Sequence, residues 1–179
     1  ISTRYSRSSL ARISEPQLIY VLLEMFAAPG AGDDSSPPIN LCLVLDRSTS
    51  MQGLRMDTMK STARELLRQM RPQDYLSIIT FSDYAEVLVP ATRGSDYHKI
   101  ESRISMLQTG GSTEIFKGLK AGFFEASRNL APSFINQLVL ITDGRTYGDE
   151  KECIQLAEEA AGKGLTISAL GIGTEWNDE

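Results

Sequence analysis

Residues 39–50 read INLCLVLDRSTS. From Ile39 to Leu45 the segment is apolar except at Asn40, and it then runs straight into an acid and a set of hydroxyls. An almost unbroken apolar, β-favouring run with polar residues at its end predicts a strand covered on both faces, as in the middle of a parallel sheet. Asp46, Ser48 and Ser50 then fall at the carboxyl end of that strand. In open α/β sheets this edge is where ligands are held. A carboxylate and two hydroxyls at alternate positions form a set of hard oxygen donors suited to Mg²⁺.

Working outward, Met56, Met59, Ala63, Leu66, Leu67 and Met70 recur at steps of three and four, which predicts a helix ending before Pro72. Tyr75 to Phe81 predicts the next strand. Ala85 to Val89, after a short Ser-Asp-Tyr turn, predicts an antiparallel partner at the sheet edge. Tyr97, Ile100, Ile104 and Leu107 mark a second helix. Ile115, Leu119, Phe123, Ala126 and Leu130 mark a third, behind the Gly-bearing loop QTGGST at 108–113. Gln137 to Thr142 is another apolar strand, ending in Asp143-Gly144. A helix over about 150–162 presents Ile154, Ala157 and Ala161, and 165–172 gives a last strand. Alternating strands and helices predict a doubly wound, mostly parallel α/β sheet with helices on both faces and one antiparallel edge strand.

Ahead of this lies an extension, residues 1–38, with a β-leaning stretch from Gln17 to Phe26 and a turn-rich linker, AAPGAGDDSSPP, at 27–38. The opening Ser- and Arg-rich residues read as a frayed or partner-covered terminus. The first residue is Ile and the last residues are hydrophilic, which suggests a fragment of a longer protein, ending where a further helix would begin.

A net charge of −5 has the wrong sign for a protein that neutralises phosphates, so nucleic acid is excluded as a partner class. No apolar run reaches membrane-spanning length. Cys42 and Cys153 stand far apart and outside any Cys/His cluster, which argues against zinc or a disulfide framework and leans toward a reducing, cytoplasmic setting.

Three loops fall at strand ends or helix starts: DRSTS at 46–50, GGST at 110–113 and TDG at 142–144. Taken singly, each has a plainer explanation. Asp46, Ser48, Ser50 or Thr113 would serve as helix caps, and Asp143 before Gly144 as a turn residue. Together they place two carboxylates, Asp46 and Asp143, and the hydroxyls of Ser48, Ser50 and Thr113 at one crevice. A divalent cation relieves the repulsion between the acids there.

On these motifs the sequence resembles the von Willebrand factor A domain family with a metal-ion-dependent adhesion site. Asp46, Ser48 and Ser50 match its Asp-x-Ser-x-Ser motif, Thr113 its threonine, with Gly118 in step, and Asp143 its second acid. The resemblance covers about residues 39–173 of the expected domain, 39–179. RPQDYLSIITFS and ALGIG are closer to prokaryotic members than to integrin inserted domains. Thr49 departs from the glycine many relatives have between the serines.

The resemblance implies a binding module, not an enzyme. Mg²⁺, or Mn²⁺ in its place, is held by the five side chains and completed by an Asp or Glu of a partner protein. Arg47, Met51, Gln52, Ile115, Arg145 and Tyr147 would form the rim that selects the partner. The alternatives are a scaffold domain whose metal site is structural or vestigial, and a metal-dependent phosphatase-like enzyme. The last lacks an acid two residues after Asp46. No phosphate-binding GxxxxGK[ST] loop or GxSxG elbow occurs, and the lone histidine, His98, supports no serine triad.

Overall fold

A computed structural model describes residues 2–5, 21–24, 36–94, 96–144 and 148–173. Two compact units are present, residues 1–36 and 37–179. In the first, strand β1 (Ser2–Tyr5) pairs antiparallel with β2 (Val21–Glu24), Ser2 opposite Glu24 and Tyr5 opposite Val21. β2 lies inside the stretch expected to be extended. β1 falls in the opening stretch read as frayed or partner-covered: Thr3 and Tyr5 are β-favouring, and pairing with β2 engages the backbone of Ser2–Tyr5.

The second unit is built on β3 (Ile39–Asp46), β4 (Tyr75–Phe81), β5 (Ala85–Arg93), β6 (Ile135–Thr142) and β7 (Thr166–Gly171), in the order β5-β4-β3-β6-β7. All neighbours are parallel except β4–β5, the expected edge hairpin. β5 runs on to Arg93, past the expected end at Val89, and carries Pro90, which a sheet accommodates at an edge.

β3 is the centre, and its alternation builds two cores. Leu41, Leu43 and Leu45 face α1 (Leu54–Arg68) and α2 (Tyr97–Ser105) through Met56, Met59, Ala63, Leu67, Ile100 and Ile104. Cys42 and Val44 face α3 (Ile115–Ser127) and α4 (Glu150–Gly162) through Leu119, Ala126, Leu156 and Ala160. Strand residues buried on both sides explain why the stretch reads as continuously apolar. Burial pushes both thiols, Cys42 and the half-buried Cys153, up to about 12, helped at Cys153 by nearby carboxylates.

Two helix details differ from expectation. α3 stops at Ser127, before Leu130. α4 buries Leu156 and Ala160, with Cys153 partly covered, while Ile154 is 60% exposed. Both sets share the i, i+3, i+7 spacing, one residue out of phase, and the core shared with α3 and the sheet takes the one with the larger Leu156.

α3 meets the sheet through glycines, which leave no room for a side chain between them. A Cβ on Gly118 would stand 2.6 Å from the Phe81 ring, and one on Gly122 would stand 2.6 Å from Val44 Cγ2. This seat fixes where the loop before α3, with Thr113, meets the end of β3.

Candidate functional site

The parallel register sets Asp46 beside Phe81 and Leu45 beside Ile141, so the carboxyl ends of β3, β4 and β6 share one edge. The chain passes from β3 to β4 on one side, and β6 and β7 lie on the other. The direction of winding therefore reverses between β3 and β6, which opens the crevice such sheets use for ligands.

Asp46 is fully buried there. Its Oδ1 accepts from the backbone N–H of Ser48 at 2.8 Å, and its Oδ2 accepts from the Thr142 hydroxyl at 2.6 Å. Burial holds its carboxyl above the ordinary range. The bonds from Thr142 and Ser48 oppose that rise, and the neighbouring charge of Asp143 adds to it. Ser48 is buried and its Oγ lies 3.0 Å from Ser50 Oγ.

The capping explanation for these residues does not hold. α1 begins after Gly53, whose place at the helix start no side chain caps, and the short 3₁₀ turn Thr49–Met51 takes no cap bond from Ser48. The hydroxyls are left facing each other at the strand end.

Asp143 is buried as well, one residue past the Thr142 that bonds Asp46. Its Oδ2 accepts from Arg55 Nη1 at 3.0 Å, while its Oδ1 is buried with no hydrogen-bond partner among the described residues. An unsatisfied carboxylate oxygen in the interior is rare and points to a missing donor or cation. Gly144 N–H donates to the Thr142 hydroxyl at 3.1 Å, so Thr142 links the two acidic positions.

Thr113 is brought to this edge by backbone bonds. Gly110 N–H donates to Arg47 O at 2.8 Å, and Glu114 N–H donates to Ser82 O at 3.0 Å. Thr49, the departure from the family pattern, donates to Gly111 O from both its N–H (3.1 Å) and its hydroxyl (2.9 Å). Gly111 itself has φ +85°, and a Cβ on it would collide with the Asp83 carboxylate. Thr113 does not cap α3: Asp149, from the loop before α4, accepts from Phe116 N–H at 2.8 Å.

The rim needs correction. Met51 is wholly buried and Ile115 is 8% exposed, so both are core residues with almost no surface for a partner. Their apolar side chains leave water although the motifs beside them stay at the crevice. Gln52 is exposed. Arg47 is half-buried, with its guanidinium 4.7 Å from the centre of the exposed Tyr84 ring. Arg145 and Tyr147 lie outside the described residues.

Sequence reasoning missed two side chains. Thr142 was visible within TDG but carried no assigned role. Arg55 had no signal at all, since nothing in the spacing links it to Asp143.

Among the described residues no group of three or more His, Cys, Asp or Glu is placed to hold a metal. A cation here would therefore be held by two acids with hydroxyls. That mixture suits a hard ion such as Mg²⁺, and the partnerless Asp143 Oδ1 is consistent with it.

A model of the von Willebrand factor type A domain matches residues 40–179. The chain belongs to that family. Uncharacterized protein sll0103 of Synechocystis is 35% identical over 154 residues, 86% of this chain and 36% of that protein. YfbK of Escherichia coli is 28% identical, over 76% of this chain and 24% of its own length. The chain thus spans about a third or less of these relatives.

Among solved structures, a von Willebrand factor type A protein from Catenulispora acidiphila superposes with a TM-score of 0.68 at 19% identity, covering 79% of this chain and 34% of that one. Proximal thread matrix protein 1 from the mussel byssus, with a zinc-occupied adhesion-site motif, gives 0.63 at 22% identity, covering 79% and 39%. At these identities the structures support the fold. Von Willebrand factor A domains are commonly protein-interaction modules without catalytic activity, and many bind a divalent metal. Among the described residues no helix is long and apolar enough to cross a membrane.

Proposed function

We propose that this domain holds one divalent cation, Mg²⁺ or Mn²⁺, and uses it to capture an acidic side chain of a partner protein. Asp46, Ser48, Ser50, Thr113 and Asp143 would hold the ion, which when bound supplies an electrophilic centre for a partner's carboxylate. The observation that carries the reading is the buried, partnerless Oδ1 of Asp143 in a crevice lined by a second carboxylate and paired hydroxyls. The remaining work falls to the protein. Thr142 and the Ser48 N–H hold Asp46 in place, and Thr49 ties the hydroxyl-bearing loop to the one that carries Thr113. Arg47, Gln52, Arg145 and Tyr147 would select the partner. Charge reversal at Arg47 with unchanged partner affinity would remove it from that role.

Titration calorimetry with Mg²⁺ and Mn²⁺ tests the site. One equivalent of heat-detected binding is expected for the native chain and none for Asp46→Ala. Equal binding by both would overturn the ligand set. A scaffold reading, with a vestigial site, draws on the Arg55–Asp143 ion pair, which gives one acid a counter-charge without any metal. Partner capture that persists unchanged in chelator would select that second reading.

A further inference from the structure

Arg55 sits in the first turn of α1, where the helix dipole disfavours a cation. It is held there by the crevice. Its Nη1 donates to Asp143 Oδ2 at 3.0 Å and to Ser50 O at 3.1 Å. The guanidinium also passes over Gly173, just beyond β7: a Cβ on that glycine would stand 3.1 Å from Nε and 3.6 Å from Cζ. One half-buried side chain therefore bonds the DRSTS and TDG loops and lies beside Gly173, past the end of β7. It takes one oxygen of Asp143 and leaves the other, Oδ1, without a partner.

Resting on the metal-site reading above, we propose that Arg55 is a built-in counter-ion that shares Asp143 with the divalent cation, weakening cation binding while strengthening carboxylate capture by the loaded site. The charge count gives the reason. Asp46 and Asp143 with Arg55 amount to a formal charge of minus one, so the loaded site is net positive, whereas the two acids alone would leave it neutral. At a partly buried edge, where water screens charges weakly, an added positive charge repels the incoming cation and attracts the partner's carboxylate. Arg55 also fixes the rotation of the Asp143 carboxyl, which makes it a positioning residue. A purely structural tie would move cation and carboxylate affinities in the same direction. A shared counter-ion moves them in opposite directions.

The test uses Arg55→Gln, which keeps hydrogen-bond donors and removes the charge, Arg55→Met as a second neutral variant, and Arg55→Lys, which keeps the charge. Mn²⁺ affinity is read by calorimetry and by the electron-spin-resonance signal of free Mn²⁺. Acetate is then titrated into the Mn²⁺-loaded proteins. Each neutral variant is expected to bind Mn²⁺ about tenfold more tightly and acetate about tenfold more weakly, with Arg55→Lys close to the native chain; tenfold corresponds to about 1.4 kcal/mol. Mn²⁺ affinity that is unchanged or weaker in the folded neutral variants overturns the proposal and leaves the metal site standing. Absence of Mn²⁺ binding in every chain, native included, overturns both. Mn²⁺ binding by the neutral variants alone overturns the proposal too, because a native site that does not load cannot strengthen carboxylate capture.

Discussion

Thr142→Val removes one hydroxyl from the most enclosed part of the site and keeps the shape and strand preference of the residue. The lost bonds are the 2.6 Å donation to Asp46 Oδ2 and the 3.1 Å acceptance from Gly144 N–H. A hydrogen bond to a buried charged group contributes roughly 1.5–3 kcal/mol and a neutral one about 0.5–1.5 kcal/mol. Gly144 is only half-buried, so water can replace part of the second bond. The expected loss is about 2–4 kcal/mol, or a melting temperature lower by roughly 5–15 °C for a domain of this size.

The pH dependence is the sharper test. Burial already raises the Asp46 carboxyl in the metal-free fold, and Thr142 is the largest opposing influence, so the variant's native state binds its proton more strongly still. Stability falls with rising pH wherever the native state holds more protons than the unfolded chain. The variant's deficit relative to the native chain should therefore widen as pH rises through the Asp46 titration and narrow at acid pH. Urea unfolding of both proteins across that range, in chelator, measures it. A deficit below about 0.5 kcal/mol, or one that does not change with pH, would refute the account of how Asp46 is held.

Asp74 anchors the start of β3: its carboxylate accepts from Ile39 N–H at 2.9 Å, from Arg71 N–H at 2.8 Å and from the Arg71 guanidinium at 3.1 Å. Burial alone would raise its carboxyl, but Arg71 and the two N–H groups outweigh that and hold it below its ordinary 3.8. Its stabilisation is thus present above that pH and lost as pH falls through the lower native value. Asp74→Ala should cost about 2–4 kcal/mol at neutral pH and less in acid, as read by urea unfolding. Gly122→Ala would press a methyl to 2.6 Å from Val44 Cγ2 and 3.0 Å from Leu138 Cδ1. Despite a helix-propensity gain of about 1 kcal/mol, overpacking should leave a net loss of roughly 1–2 kcal/mol in thermal melts, with Mn²⁺ affinity reduced as α3 is lifted from the sheet.

The sheet was legible because β3, β4 and β6 are largely buried on both faces and carry mostly apolar runs, and because the loops behind them hold short polar motifs. Asp46, Ser48, Ser50 and Asp143 could be assigned to one edge by topology alone, since parallel strands put their carboxyl ends together. Met51 and Ile115 were misjudged because adjacency to a motif says nothing about which way an apolar side chain turns. α4 was misjudged because two apolar stripes on it share a spacing, and only the packing against α3 and the sheet chooses between them. Arg55 was beyond reach: its partner lies 88 residues away, and a lone arginine in a charged helix carries no pattern.

Thr49 fastens its loop to Gly111 twice, and Gly110 returns a third bond to Arg47. Two hydroxyl-bearing loops cross-braced in this way form a single plate with little independent hinge freedom. Adjustment to an incoming guest then falls on the opposite wall, around Asp143 and the end of β7, where one arginine spans the gap.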